Sequence, residues 1–105
     1  MAQFDVYQNP NPSSRQAYPY ILDLQSDLIE SLDSRIVAPL TWHDSLRDAQ
    51  LKRLTPKVSF NNQGLLIQIP QLTSMPAKSL KNPIGTLSHL RDEIIAAVDF
   101  AITGI

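Results

Sequence analysis

With 105 residues, a formal net charge of −1 and 43% hydrophobic residues, the chain is sized for one domain, residues 1–105, with a real core but no room for a second. Near-neutrality removes the basic surplus that nonspecific nucleic-acid or anionic-membrane binding needs, and the absence of cysteine excludes disulfides and thiolate metal sites. Met1-Ala2-Gln3-Phe4-Asp5 has no basic region leading into an apolar run, so no signal peptide is expected and a cytoplasmic location is inferred.

From Gln3 to Gln8 the chain alternates Phe4 and Val6 against Gln3, Asp5 and Tyr7, the period of a half-buried strand. Asn9-Pro10-Asn11-Pro12-Ser13-Ser14 breaks it, since prolines lack a ladder donor and Asn and Ser side chains bond locally. A second strand is predicted over about Tyr18–Gln25, with Tyr20, Leu22 and Leu24 on one face and Ile21, Asp23 and Gln25 on the other, as in a central strand antiparallel to the first. Ser26–Asp33 is a connector in which Leu28 and Ile29 stand side by side, so one of the pair is expected to be exposed.

Arg35–Leu40 reads as a short strand ending at Pro39, and Thr41–Leu54 as a helix with Leu46, Ala49 or Gln50, and Leu54 on one face, stopped by Pro56. Lys57–Phe60, the turn Asn61-Asn62-Gln63-Gly64 and Leu65–Ile69 predict a hairpin, because Asn and Gly supply the positive φ of tight turns. Pro76 makes Leu72–Leu80 an edge strand or one that bends between sheets. Lys81–Gly85 is then a turn into the last element.

Leu87–Ile105 predicts a helix starting at Thr86 or Ser88, with Asp92 and Glu93 at the positive end of its dipole and Gly104 as the left-handed residue that closes it. Leu87, Leu90, Ile94, Val98, Ala101 and Ile105 form the expected core stripe. Ile95 and Phe100 project away from that stripe, and a helix apolar on two sides is covered on two sides, either by its own domain wrapping both or by its own domain on one and a second protomer or another protein on the other. Ala96 and Phe100 are the residues expected at a homodimer interface. The sum is a mainly β domain, a bent antiparallel sheet or barrel with one long C-terminal α-helix.

Little in the chain points to catalysis. His43 lies beside Asp44, and His89 near Asp92 and Glu93, but no nucleophile accompanies either and no metal-ligand set forms. The three glycines make no phosphate loop, so no cofactor is expected. Arg47, Lys52, Arg53 and Lys57 crowd a positive patch interleaved with Asp44 and Asp48, read as a docking surface for an acidic partner, with Trp42 plugging the edge of the core.

Gln3-Phe4-Asp5-Val6-Tyr7, Leu22–Ile29, Arg35–Leu40, Leu72–Pro76, Leu87-Ser88-His89 and Gly104-Ile105 occur in an order and spacing that resembles the CcdB family of bacterial toxins across nearly the whole chain. The loop at Asn9–Gln16 and the segment Thr41–Arg53 match that family poorly. The resemblance implies a homodimeric SH3-like barrel with a C-terminal helix, neutralised by a CcdA-like antitoxin and sharing transcriptional autoregulation with it. It also implies a non-enzymatic activity, binding of the DNA gyrase A subunit and poisoning of the cleaved-DNA complex. The family's gyrase-contacting positions fall on Gln3, Phe4, Tyr7, Ser26, Leu28, Ile29, Asp99, Ile102, Thr103, Gly104 and Ile105. At Ile102 and Thr103 the chain departs from the best-known plasmid member, which carries bulky aromatics there. Arg47 and Arg53 are the positions expected to meet the antitoxin.

Two alternatives compete. Barrels of this shape also serve as endoribonuclease toxins of the MazF and Kid type, which need a basic groove and a positioned acid and base that a slightly acidic chain does not advertise. The other is an inactive chromosomal copy that binds only antitoxin and operator.

Overall fold

A computed structural model describes residues 2–29, 32–43 and 53–104. Seven antiparallel strands form one curled sheet: β1 (Asp5–Gln8), β2 (Tyr20–Asp23), β3 (Ser34–Trp42), β4 (Lys57–Phe60), β5 (Gln63–Ile67), β6 (Thr73–Pro76) and β7 (Gly85–Thr86). The order is β4-β5-β3-β2-β1-β7, with β6 also on β3. Among the described residues one α-helix, α1 (Arg91–Thr103), follows the sheet. The mainly β domain with a C-terminal helix expected from the sequence is therefore present, its bent antiparallel sheet curled into a half-barrel.

β2 is central, between β1 and β3, as its two apolar faces required. β3 is longer than predicted and passes straight through Pro39. Residues 34–37 pair with β6 and 40–42 with β5, both on the edge opposite β2, and the two partners are separated by a 3-10 turn at Ile69–Gln71. The N and C=O of one strand residue point to the same edge. Pro39 accepts from the Gln68 N–H on that edge, so its missing donor falls where the partner strand is interrupted.

The predicted helix over Thr41–Leu54 is corrected at its start, because Thr41 and Trp42 are strand residues opposite Leu66 and Leu65. Residues 44–52 of that prediction, Arg47 among them, lie outside the described residues. The hairpin turn is tighter than expected: Asn61 and Asn62, at φ 55° and 63°, make the whole two-residue loop, and Gly64 already pairs with Ser59 in the ladder. Two consecutive positive φ values match the right-handed twist of the flanking strands.

Successive residues of the inner strands serve opposite faces, and both faces are buried. Val6, Leu22, Ala38 and Leu40 join Phe4, Leu65, Ile67 and Ile69 in the larger core, closed by Leu87, Ile94 and Ala97. Tyr7, Ile21, Val37 and Leu80 form a smaller core on the other face, with Met75 against it. Tyr7 is thus buried rather than on a polar face, because β1 is covered on both sides.

A 3-10 turn, Ser88–Leu90, leads into α1, whose first turn carries Asp92 and Glu93 and whose end is closed by Gly104 at φ 76°. The α-helix thus begins at Arg91, later than the predicted Thr86 or Ser88, and no side chain caps it; the Thr86 hydroxyl accepts from the Ser88 N–H just before the turn. The buried stripe is rotated from the predicted one: Ala97 takes the place given to Ala101, which is exposed, and Ile95 packs against the core instead of facing away.

Gly85 is required by a neighbour. A Cβ there would lie 2.5 Å from Cε1 and 2.7 Å from Cζ of Phe60. That ring stands edge-on to Tyr20, centroids 5.3 Å apart, and Tyr20 is itself tied by its hydroxyl to Gln63 Oε1. Gly85→Ala should cost about 1–3 kcal/mol by overpacking, read as a lower urea midpoint with an unchanged slope.

Candidate functional site

The sequence-predicted contact residues fall into two groups. The first is built where the chain enters β1 and leaves β2. Phe4 is buried with a left-handed backbone, φ 72°, donating its N–H to the Asp23 carbonyl at 2.6 Å and accepting from Leu87 N–H at 2.9 Å. Such a conformation costs a non-glycine residue about 1–3 kcal/mol and persists only where surroundings impose it. Here it turns Gln3 toward the connector after β2: the Gln3 N–H donates to Asp27 Oδ1 at 2.8 Å, and the Gln3 amide donates to the Leu24 carbonyl at 3.0 Å.

In that connector Ser26 Oγ accepts from Leu28 N–H, shaping a 3-10 turn at Asp27–Ile29. Leu28 is 94% exposed, which meets the expectation that one of the Leu28–Ile29 pair faces solvent. Phe4 and Tyr7 differ from the expectation for contact residues. They are 3% and 1% exposed, so their side chains belong to the two cores and support the group from behind.

The second group lies on the last turns of α1. Asp99, Ile102 and Thr103 share a helical face by their spacing, the Thr103 hydroxyl donates to the Asp99 carbonyl at 2.6 Å, and Ile102 is 71% exposed. Gly104 donates to the Phe100 carbonyl, with open space where a side chain would be. Ile105 lies outside the described residues, as does the side chain of Ile29. Ala96 is exposed and Phe100 half-buried. The Arg53 guanidinium sits 3.9 Å above the Phe100 ring, so residues expected to meet different partners touch each other.

Sequence reasoning missed a fully buried ion pair. Arg35 donates from Nε at 2.9 Å and Nη2 at 2.7 Å to Asp23 Oδ2, with both side chains at most 1% exposed. Asp23 Oδ1 accepts from Gln25 N–H, the Arg35 guanidinium reaches the Gln25 carbonyl, and Gln25 Oε1 accepts from Ile36 N–H. Burial pushes the Asp23 carboxyl up, opposed by its bonds to Arg35 and Gln25. Asp23 shares the face of β2 that carries Ile21, and that face is covered by the smaller core, a layer that strand alternation does not reveal.

Other sequence candidates disperse. Trp42 is 44% exposed and donates to the Gln16 carbonyl, so it pins the loop after β1 rather than plugging the core. His43 is exposed just past β3, and His89 exposed in the turn before α1. An open groove lined by Leu32, Asp33, Ser34, Met75, Pro76 and Lys78 contains none of the predicted contact residues. No helix among the described residues is long and apolar enough to cross a membrane.

The Tyr7 hydroxyl is buried without a hydrogen-bond partner. Burial first, and then the charges of Asp5 and Asp23, raise its pKa above the ordinary 10.0. A raised folded value means the neutral phenol stabilises the fold below the unfolded pKa of about 10, and that contribution is lost as pH climbs above it. Tyr7→Phe should therefore gain about 1 kcal/mol at neutral pH, by removing an unpaired buried group. It should also flatten the loss of stability above about pH 10. Denaturant melts across that range test both.

A family model described as CcdB protein matches residues 3–104. Among solved structures, the chain is similar to a crystal structure of a Mtb toxin at 20% identity and TM-score 0.65, covering 81% of this chain and 92% of that one, a likeness of fold.

Proposed function

Since the chain belongs to the CcdB family, we propose that it is the toxin of a toxin–antitoxin module. In this reading it binds the A subunit of DNA gyrase and holds the enzyme in its DNA-cleaved state, without chemistry of its own. The observation that most supports this is the pair of large apolar side chains held out in water, Leu28 at 94% and Ile102 at 71% exposure, at positions the family resemblance assigns to gyrase contact. A protein that inhibits by binding needs such anchors on a fixed backbone rather than an activated nucleophile.

Gln3, Ser26, Leu28 and Ile29 form one part of the proposed surface, and Asp99, Ile102, Thr103, Gly104 and Ile105 the other. Phe4 and Tyr7 act from within the core. Exposed anchors of this size are tolerable in a cell if a partner covers them most of the time, and a CcdA-like antitoxin with a disordered segment fits that need. Arg53 stacked on Phe100 makes a joint apolar and cationic spot, so homodimerisation through Ala96 and Phe100 and antitoxin binding through Arg53 and Arg47 are linked in this reading. The same antitoxin complex would regulate its own transcription in the cytoplasm.

Induction should arrest a host with normal gyrase and spare one whose gyrase A subunit is altered at the toxin-binding surface. Equal arrest of both hosts contradicts the target and favours an activity such as RNA cleavage; arrest of neither fits the inactive copy.

A further inference from the structure

Leu28 owes its position to bonds made behind it. At 94% exposure it has almost no packing of its own, so the direction in which it leaves the domain is set by the residues before it. Those residues are tied at three points. Leu24 donates to the Ile36 carbonyl and accepts from the Gln3 amide. Gln25 donates its N–H to Asp23 and accepts from the Ile36 N–H at its side-chain oxygen, while its carbonyl faces the Arg35 guanidinium at 3.5 Å. Asp27 then accepts from Gln3 N–H. Two of these contacts, both on Gln25, come from the Asp23 carboxylate and the Arg35 guanidinium.

A buried ion pair is a poor way to gain stability. The desolvation of both charges offsets their attraction, and apolar side chains of similar volume do as well or better. What an apolar pair cannot do is hold the main chain at a defined point. Asp23 uses its two oxygens for different tasks, Oδ2 for Arg35 and Oδ1 for Gln25, the second residue beyond the strand. The fork of Arg35 has donors left for the Gln25 carbonyl, which a point charge on a flexible stem would not reach in the same geometry.

We propose that Asp23 and Arg35 are positioning residues for target binding: as a buried clamp on Gln25, they fix the exit of the chain from β2 and so aim Leu28 at its site on gyrase. This rests on the reading of Leu28 as a gyrase anchor.

Two variants test it, Arg35→Lys and the apolar pair Asp23→Leu/Arg35→Met, each compared with the parent by amide hydrogen exchange and by binding to purified gyrase A subunit. Both should remain folded, with the protection of Val6 and Leu22 unchanged. Exchange at Gln25 and Gln3 should accelerate at least tenfold, and gyrase A binding should weaken at least tenfold. A folded variant with parental exchange at those amides, or with parental affinity despite faster exchange, overturns the proposal. So does failure of both variants to fold, since the pair would then hold up the whole sheet. If the parent itself does not bind gyrase A, the target assignment fails, while the exchange measurements still decide whether the clamp positions the connector.

Discussion

Leu28→Asp is expected to abolish growth arrest while shifting unfolding free energy by no more than about 0.5 kcal/mol, the usual range for a surface substitution that touches nothing. The asymmetry follows from where Leu28 stands. It is 94% exposed in the free chain, so folding gains almost nothing from its side chain. A complex that buries it gains about 1.5–3 kcal/mol for full burial. An aspartate there forfeits that and adds a carboxylate to be desolvated, so the loss in affinity should exceed about 2 kcal/mol, roughly thirtyfold. Ile102→Asp should behave alike, with the added repulsion of Asp99 one turn away. Calorimetric binding to gyrase A beside thermal melts of the same preparations separates the two effects. A large fall in melting temperature would mean that these side chains are structural.

Arg35→Met alone is expected to be the most damaging of the single substitutions considered, costing about 3–5 kcal/mol, because it strands the Asp23 carboxylate in a site with no route to water. The sign of its pH dependence is diagnostic. Burial raises the Asp23 pKa, and Arg35, together with the Gln25 N–H, works against it. Without the guanidinium the folded value rises further above the unfolded one, so the carboxyl favours the fold when protonated, and that contribution is lost as pH rises through the folded value. The deficit should therefore be largest at neutral pH and shrink toward acid. Adding Asp23→Leu should restore most of the lost stability, since the pair is replaced rather than broken.

The sequence carried the elements whose signal is local. The Asn61-Asn62 turn, the two-faced central strand at β2 and the terminal helix closed by Gly104 each follow from residues within a few positions of one another, and each is present. Pro39 misled because its local meaning, the end of a strand, depends on what lies opposite it: the partner edge is interrupted there by a turn thirty residues downstream, which no local pattern reveals. Asp23 and Arg35 are twelve residues apart on adjacent strands, and alternation alone cannot distinguish a charge facing solvent from one facing another charge under a second layer. The side chains of Phe4 and Tyr7 are buried for the same reason. Their types fit a binding surface, but β1 is covered on both faces. Leu28 was legible because two large apolar neighbours cannot both turn inward from a short connector.

Purified components distinguish inhibition by binding gyrase from an activity of the chain's own. Gyrase, supercoiled plasmid, ATP and this protein are incubated, then quenched with detergent and protease, and linear DNA is measured. Linear DNA should accumulate with protein concentration, Leu28→Asp should abolish the effect, and an RNA substrate in the same tube should stay intact. No linear DNA at micromolar protein, or RNA cleaved in the absence of gyrase, would contradict inhibition by binding gyrase.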